Sequence, residues 1–109
     1  MKNIYISLPI KGHEDTYEQR LNAATLYVFK NFPEYEVIIT PRAVAKKVDE
    51  LFTEFGKKAD YKNYLLHDLI YIATCEAIFM CHGWDKSKGC LAEHAFAEAI
   101  GLEIFYQHE

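Results

Sequence analysis

The segment from Cys81 to Gly101, CHGWDKSKGCLAEHAFAEAIG, joins residue types that bind anions to a candidate reactive carboxylate. An apolar run leads into a Gly-Trp-Asp loop. The loop opens a helix that carries Ser87, Gly89 and Glu93 in its first turns. Free backbone N–H groups and the helix dipole both point at whatever precedes such a helix, so the loop suits a phosphate-like group. Glu93 stands among alanines, where a carboxylate is partly desolvated and holds its proton more tightly. Two readings of Glu93 are open: a reactive carboxylate beside a ligand, or a residue on a solvated edge near Lys86 or Lys88.

Asp68 interrupts the apolar run Leu65-Leu66-His67-Asp68-Leu69-Ile70. A carboxylate in a helix that is apolar on most sides needs a partner or a task. The plainer reading is a capping or salt-bridge role on an edge shared with Tyr64 and Tyr71. Tyr5 alternates with Ile4 and Ile6 in the first extended run, as a packed core tyrosine or as a hydroxyl aimed into a site. Ser87 reads as an N-cap worth about 1 kcal/mol, a role compatible with holding a phosphate. The Pro9-Ile10-Lys11-Gly12 turn offers a cation and a glycine that allows close approach of a ligand. It matches neither the P-loop nor the dinucleotide fingerprint.

These residues need elements to position them, and strand and helix patterns alternate along the whole chain. Asn3 to Leu8 reads as a strand stopped by Pro9 and Gly12. Asp15 to Phe32 reads as a helix, with Tyr17, Leu21, Ala24 and Val28 on one face. Tyr35 to Ile39 is the second strand. Thr40 followed by Pro41 marks a helix start, Val44, Val48, Leu51 and Phe55 form that helix's stripe, and Gly56 ends it. Asp60 caps a third helix running from Tyr61 to about Thr74. Glu76 to Cys81 is apolar enough for a central parallel strand. Lys88 to about Ile100 is the fourth helix, and Leu102 to Tyr106 the last strand. Residues 1–109 are expected to form one domain, a flavodoxin-like three-layer α/β/α fold around a sheet of four to five mostly parallel strands. With a flavodoxin-like strand order, the loops Pro9–His13 and His82–Lys88 meet where that order reverses, which is where ligands bind in such sheets.

Composition narrows the function. Of 109 residues, 12 are basic and 16 acidic, a net charge of −4 without a basic stripe, so a nucleic-acid polymer is not the expected partner. Lys46, Lys47, Lys57, Lys58 and Lys62 read as solvated surface. No stretch reaches the roughly 20 apolar residues of a membrane span, and the N-terminus lacks a signal-peptide pattern, so a cytoplasmic location away from membranes is expected. Three cysteines, with no C-x-x-C pair, fit a reducing compartment. The array Cys81, His82, Cys90, His94 matches no common zinc spacing, and neither a metal nor another cofactor is expected.

In order along the chain, Tyr-Ile-Ser-Leu-Pro-Ile-Lys-Gly at 5–12, His-Asp-Leu at 67–69, Cys-Glu-Ala-Ile at 75–78 and Gly-Trp-Asp-Lys-Ser-Lys-Gly-Cys-Leu-Ala-Glu at 83–93, then Ala97 and Gly101, resemble the nucleoside 2-deoxyribosyltransferase-like superfamily. The likeness is strongest to a small branch of unknown function found in bacteria and phages, the DUF4406-like proteins. The resemblance implies cleavage or transfer at the N-glycosidic bond of a 2-deoxynucleoside or its 5′-monophosphate. The residue matching Glu93 would attack the anomeric carbon. The one matching Asp68 would handle protons at the leaving base, and the one matching Tyr5 would orient the nucleophile. Ser87 and Gly89 would hold a 5′-phosphate, and Pro9, Lys11, Gly12 and Trp84 complete the expected binding set. The partner is then a small-molecule nucleoside or nucleotide, and the chain a homodimer or higher homo-oligomer. A non-catalytic nucleotide-binding or sensing domain would keep the same pocket. A protein-interaction module built on the tyrosines would leave Tyr5, Asp68 and Glu93 far apart.

Overall fold

Residues 2–108 are described by a computed structural model. Four strands, β1 (Lys2–Ser7), β2 (Tyr35–Ile39), β3 (Ala77–Met80) and β4 (Glu103–Tyr106), form one parallel sheet in the order β2-β1-β3-β4. Four helices connect them: α1 (Tyr17–Asn31), α2 (Pro41–Glu54), α3 (Tyr61–Ile72) and α4 (Lys88–Ala99). The order reverses between β1 and β3, as expected from the flavodoxin-like pattern.

Strand alternation divides the core in two. Ile4, Ile6 and Leu8 of β1 and its exit face α1, meeting Leu21, Ala24 and Val28. Tyr5 points to the opposite face, where Val44 and Val48 of α2, Ile72 of α3, and Cys90 and Ala97 of α4 cover the sheet. The molecule is therefore three-layered, with α1 on one face and α2, α3 and α4 on the other. β3 is buried at all four of its positions, because helices lie on both of its faces. Burying one such aliphatic side chain contributes about 1.5–3 kcal/mol.

Local chemistry sets the helix starts. Thr40 Oγ1 accepts from the Ala43 N–H at 3.2 Å, with Pro41 in the first turn. Asp60 and Asn63 form a reciprocal capping box at the start of α3. Ser87 Oγ accepts from the Cys90 N–H at 3.3 Å and caps α4.

Element boundaries shift by one or two residues from expectation, and two of the shifts have a local cause. Residues Glu14–Thr16 form a 3-10 turn ahead of α1, and the Glu14 carboxylate accepts from the Gly12 N–H at 3.0 Å. At the other end of the sequence expectation for α3, the N–H groups of Thr74 and Cys75 bond three residues back, to Tyr71 and Ile72. That tightening ends the α-helix at Ile72 rather than Thr74.

Candidate active site

The two turns at the reversal of strand order touch each other. Gly12 follows β1 with φ 85° and Gly83 follows β3 with φ 84°, a left-handed backbone that favours glycine. A side chain at Gly83 would stand 3.6 Å from Pro9 Cγ and 3.8 Å from His13 Nε2. Arg20 on α1 supports the same loop from beneath, donating from Nη2 to the His82 carbonyl at 2.8 Å.

Beside these turns, on the face covered by α2, α3 and α4, lies a cavity of about 880 Å³. One wall is apolar, with Leu8, Ile10, Pro41, Ala45 and Leu65. The tyrosines Tyr61 and Tyr64 lie along α3. The polar part of the lining includes Lys11, Glu14, Lys86, Ser87, Lys88 and Gly89. Asp68 and Glu93 line the same cavity. An apolar wall facing a few convergent polar groups is the usual form of a small-molecule site.

Glu93 lies in the second turn of α4 and is only 5% exposed, which excludes the solvated-edge reading. Two hydroxyls of β1 reach it. Tyr5 donates to Oε2 at 3.2 Å and Ser7 donates to Oε1 at 2.7 Å, and both residues are fully buried. Asp68, from α3, lies close enough to Glu93 and Tyr5 to affect the protonation of both. Tyr5 thus fits both of its sequence readings, a core residue whose hydroxyl is spent inside the site.

The electrostatics follow from burial. Desolvation pushes Glu93 well above the usual carboxylate range, and the neighbouring Asp68 charge pushes it further. The Ser7 and Tyr5 hydroxyls oppose that rise by bonding to the ionised form. Asp68 is also raised by burial, with hydrogen bonds from Glu93 and Tyr5 working against it. Both carboxyls are thus raised, Glu93 more than Asp68, and the pair keeps a proton that solvated carboxylates would have lost. Tyr5 is raised well above its ordinary value by burial and then by the Glu93 and Asp68 charges, so it remains a donor. Tyr17 on α1 is pushed to about 12, first by burial.

Of the residues singled out in the sequence, Glu93, Asp68, Tyr5, Ser87, Gly89 and Lys11 converge here. Pro9 and Gly12 lie behind the cavity in the turn that supports it, not on its lining. Trp84 is placed elsewhere. Its ring stacks on His94 with centroids 4.3 Å apart, and His94 Nε2 lies 2.8 Å from the Tyr106 hydroxyl. Its ring packs α4 against β4 and is not on the cavity lining. Ser7 is the residue that sequence reasoning passed over. The available signal was its spacing, two positions after Tyr5 on one strand and hence on the same face. Among the described residues no three His, Cys, Asp or Glu side chains are grouped to hold a metal ion.

The family described as a domain of unknown function, DUF4406, matches residues 2–106. Among solved structures the chain is similar to a 2-desoxiribosyltransferase from Leishmania mexicana, with a TM-score of 0.65 and 20% sequence identity. That likeness covers 97% of this chain and 63% of the other, so this chain spans less than two thirds of the other's length. At this identity the likeness shows the fold. No curated protein matches the sequence. No helix is long and apolar enough to cross a membrane among the described residues.

Proposed function

We propose that this chain, which belongs to the DUF4406 family, cleaves or transfers the N-glycosidic bond of a 2-deoxynucleoside or its 5′-monophosphate, with Glu93 as the nucleophile. The observation that carries this reading is the buried Glu93 carboxylate, bonded by Tyr5 and Ser7 and facing Asp68 on the wall of one cavity. Retaining glycosidic chemistry needs such a pair: one carboxylate to bond the sugar carbon, the other to move the proton. The fold shared with the deoxyribosyltransferase supports the substrate class.

The resting pair holds one proton on Glu93. With substrate bound, Asp68 takes that proton and passes it to the leaving base nitrogen. The Oε2 atom of Glu93 bonds to the anomeric carbon as the carbon–nitrogen bond breaks, giving a glycosyl ester and a neutral base. Water or a second base then attacks the same carbon. Asp68 accepts the proton released by that acceptor, and the ester bond to Glu93 breaks. The rim of Ser87, Gly89, Lys86 and Lys88 at the start of α4 supplies N–H groups and charge for a 5′-phosphate. The apolar wall and Tyr61 and Tyr64 provide a surface for the base.

The test is a panel of 2-deoxynucleosides and their 5′-monophosphates, followed for release of free base. A parallel search by mass spectrometry looks for a deoxyribosyl adduct on quenched protein. Release from at least one member is expected, abolished by Glu93→Ala. A folded sample that releases no base and forms no adduct across the panel overturns the proposal.

A further inference from the structure

β1 ends on Ser7, whose side chain is fully buried and directed at α4. Its backbone cannot drift: Ser7 pairs with Met80 of β3, and its carbonyl accepts from the Cys81 N–H at 2.9 Å. From this fixed position the Ser7 hydroxyl donates to Oε1 of Glu93 at 2.7 Å, shorter than the Tyr5 bond to Oε2 at 3.2 Å. The carboxylate is therefore held unsymmetrically, Oε1 tightly by Ser7 and Oε2 more loosely by Tyr5.

We infer that Ser7 is a positioning residue for the glycosidic reaction: it fixes the Glu93 carboxylate through Oε1, leaves Oε2 as the attacking atom, and favours the arrangement in which Glu93 is ionised and Asp68 carries the proton. This rests on the proposed function above and assigns a role within the same site. A hydroxyl that donates to one carboxylate oxygen stabilises the charged form and does so without moving, because the strand holds it. The other groups facing Glu93 cannot substitute. Asp68 from α3 repels its charge, and Tyr5 from β1 is already spent on Oε2. Cys90, one turn earlier on α4, is a weak donor raised by burial and itself within reach of Ser7 and Ser87. Tyr17 and Tyr61 face the pair as neutral phenols raised by burial. The charged side chains Lys11, Glu14, Lys86 and Lys88 also line the cavity.

The experiment is Ser7→Ala, with the Glu93 carboxyl followed by carbon NMR in glutamate-labelled protein. Glu93→Gln identifies the resonance. Loss of the donor should move the Glu93 titration to higher pH and carry the alkaline limb of the activity profile upward with it. It should lower kcat about tenfold with KM changed less than twofold, the size expected for a charge-assisted hydrogen bond. Ser7→Thr, which keeps the hydroxyl, should restore most of both, and Ser7→Cys serves if the alanine variant does not fold. Identical Glu93 titration in the wild type and the hydroxyl-less variant overturns the inference. A wild type without glycosidic activity overturns the proposed function instead, and the titration still decides the placement of Ser7.

Discussion

Glu93 and Asp68, on neighbouring helices α4 and α3, face each other closely enough that the ionised charge of Asp68 raises the proton affinity of Glu93. Both carboxyls are lifted primarily by burial, Glu93 more than Asp68. Like charges confined in one site cannot both ionise cheaply, so the pair retains a proton at a pH where solvated carboxylates have lost theirs. Under the proposed function, that retained proton links catalysis and stability.

Stability should depend on pH through Glu93. Its folded-state proton affinity exceeds the unfolded one, so the folded state binds more protons above the ordinary carboxylate range near pH 4. The contribution is fully present below that range and is lost as pH rises through the raised folded-state value, at up to about 1.4 kcal/mol per pH unit for one proton. Glu93→Gln keeps an acceptor for Ser7, can donate an amide N–H to Asp68, and has no proton to lose. Urea unfolding between pH 4.5 and 8 should show the variant gaining on the wild type as pH rises. Parallel curves would contradict the buried, proton-holding Glu93.

Asp68→Asn separates the two proton roles. Without the neighbouring charge, Glu93 should titrate at lower pH. Without a group to relay the proton, bases that leave poorly should be released about a hundredfold or more slowly, within the usual range for acid–base assistance. The activity profile should lose its alkaline fall and become a single rise with pH. A 2-deoxyriboside whose leaving group needs no proton should recover most of the rate. Equal losses for both leaving groups would place Asp68 outside proton transfer.

How far the residues themselves disclosed this site differs from one position to the next. Thr40-Pro41, Asp60 and Ser87 announced helix starts because their capping bonds are local. The burial of Glu93 was half legible: alanine neighbours allowed it, but a solvated edge satisfied the same pattern until β1 was laid across α4. Ser7 sat inside the motif that carried the family resemblance, yet a serine in an apolar strand has no meaning until its partner lies across a gap of 86 positions. Trp84 was legible only in part. A tryptophan in a ligand-proximal loop reads as a contact, and only the arrangement of β4 beside α4 shows His94 and Tyr106 occupying its ring.

Gly89 offers a test of the phosphate rim. A methyl group there would stand 3.3 Å from the Tyr61 hydroxyl, within the first turn of α4. Alanine gains up to about 1 kcal/mol of helix propensity, and exposed Tyr61 can move aside, so Gly89→Ala should fold with little change in melting temperature. It should crowd the N–H groups that a phosphate approaches. Calorimetric titration should show about tenfold weaker binding of a 2-deoxynucleoside 5′-monophosphate and a clearly smaller loss for the free nucleoside, which feels only the shift of Tyr61. Equal weakening of both would move the phosphate away from this helix start.

Trp84→Leu distinguishes a packing role from a binding one. The indole stacks on His94 at an interplanar angle of 19° and lies 5.7 Å from the Tyr106 ring. Such ring pairs contribute about 0.5–1.5 kcal/mol beyond area burial, and the smaller side chain also leaves space unfilled, so a total loss near 2 kcal/mol is expected. For a domain of this size that lowers the melting temperature by roughly 8–16 °C. Because the cavity lining does not include Trp84, KM for the best substrate should stay within about twofold once the assay is run well below the new melting temperature. A raised KM with unchanged melting would instead return the indole to the substrate, and would require the 81–88 loop to adopt a different position when ligand is bound.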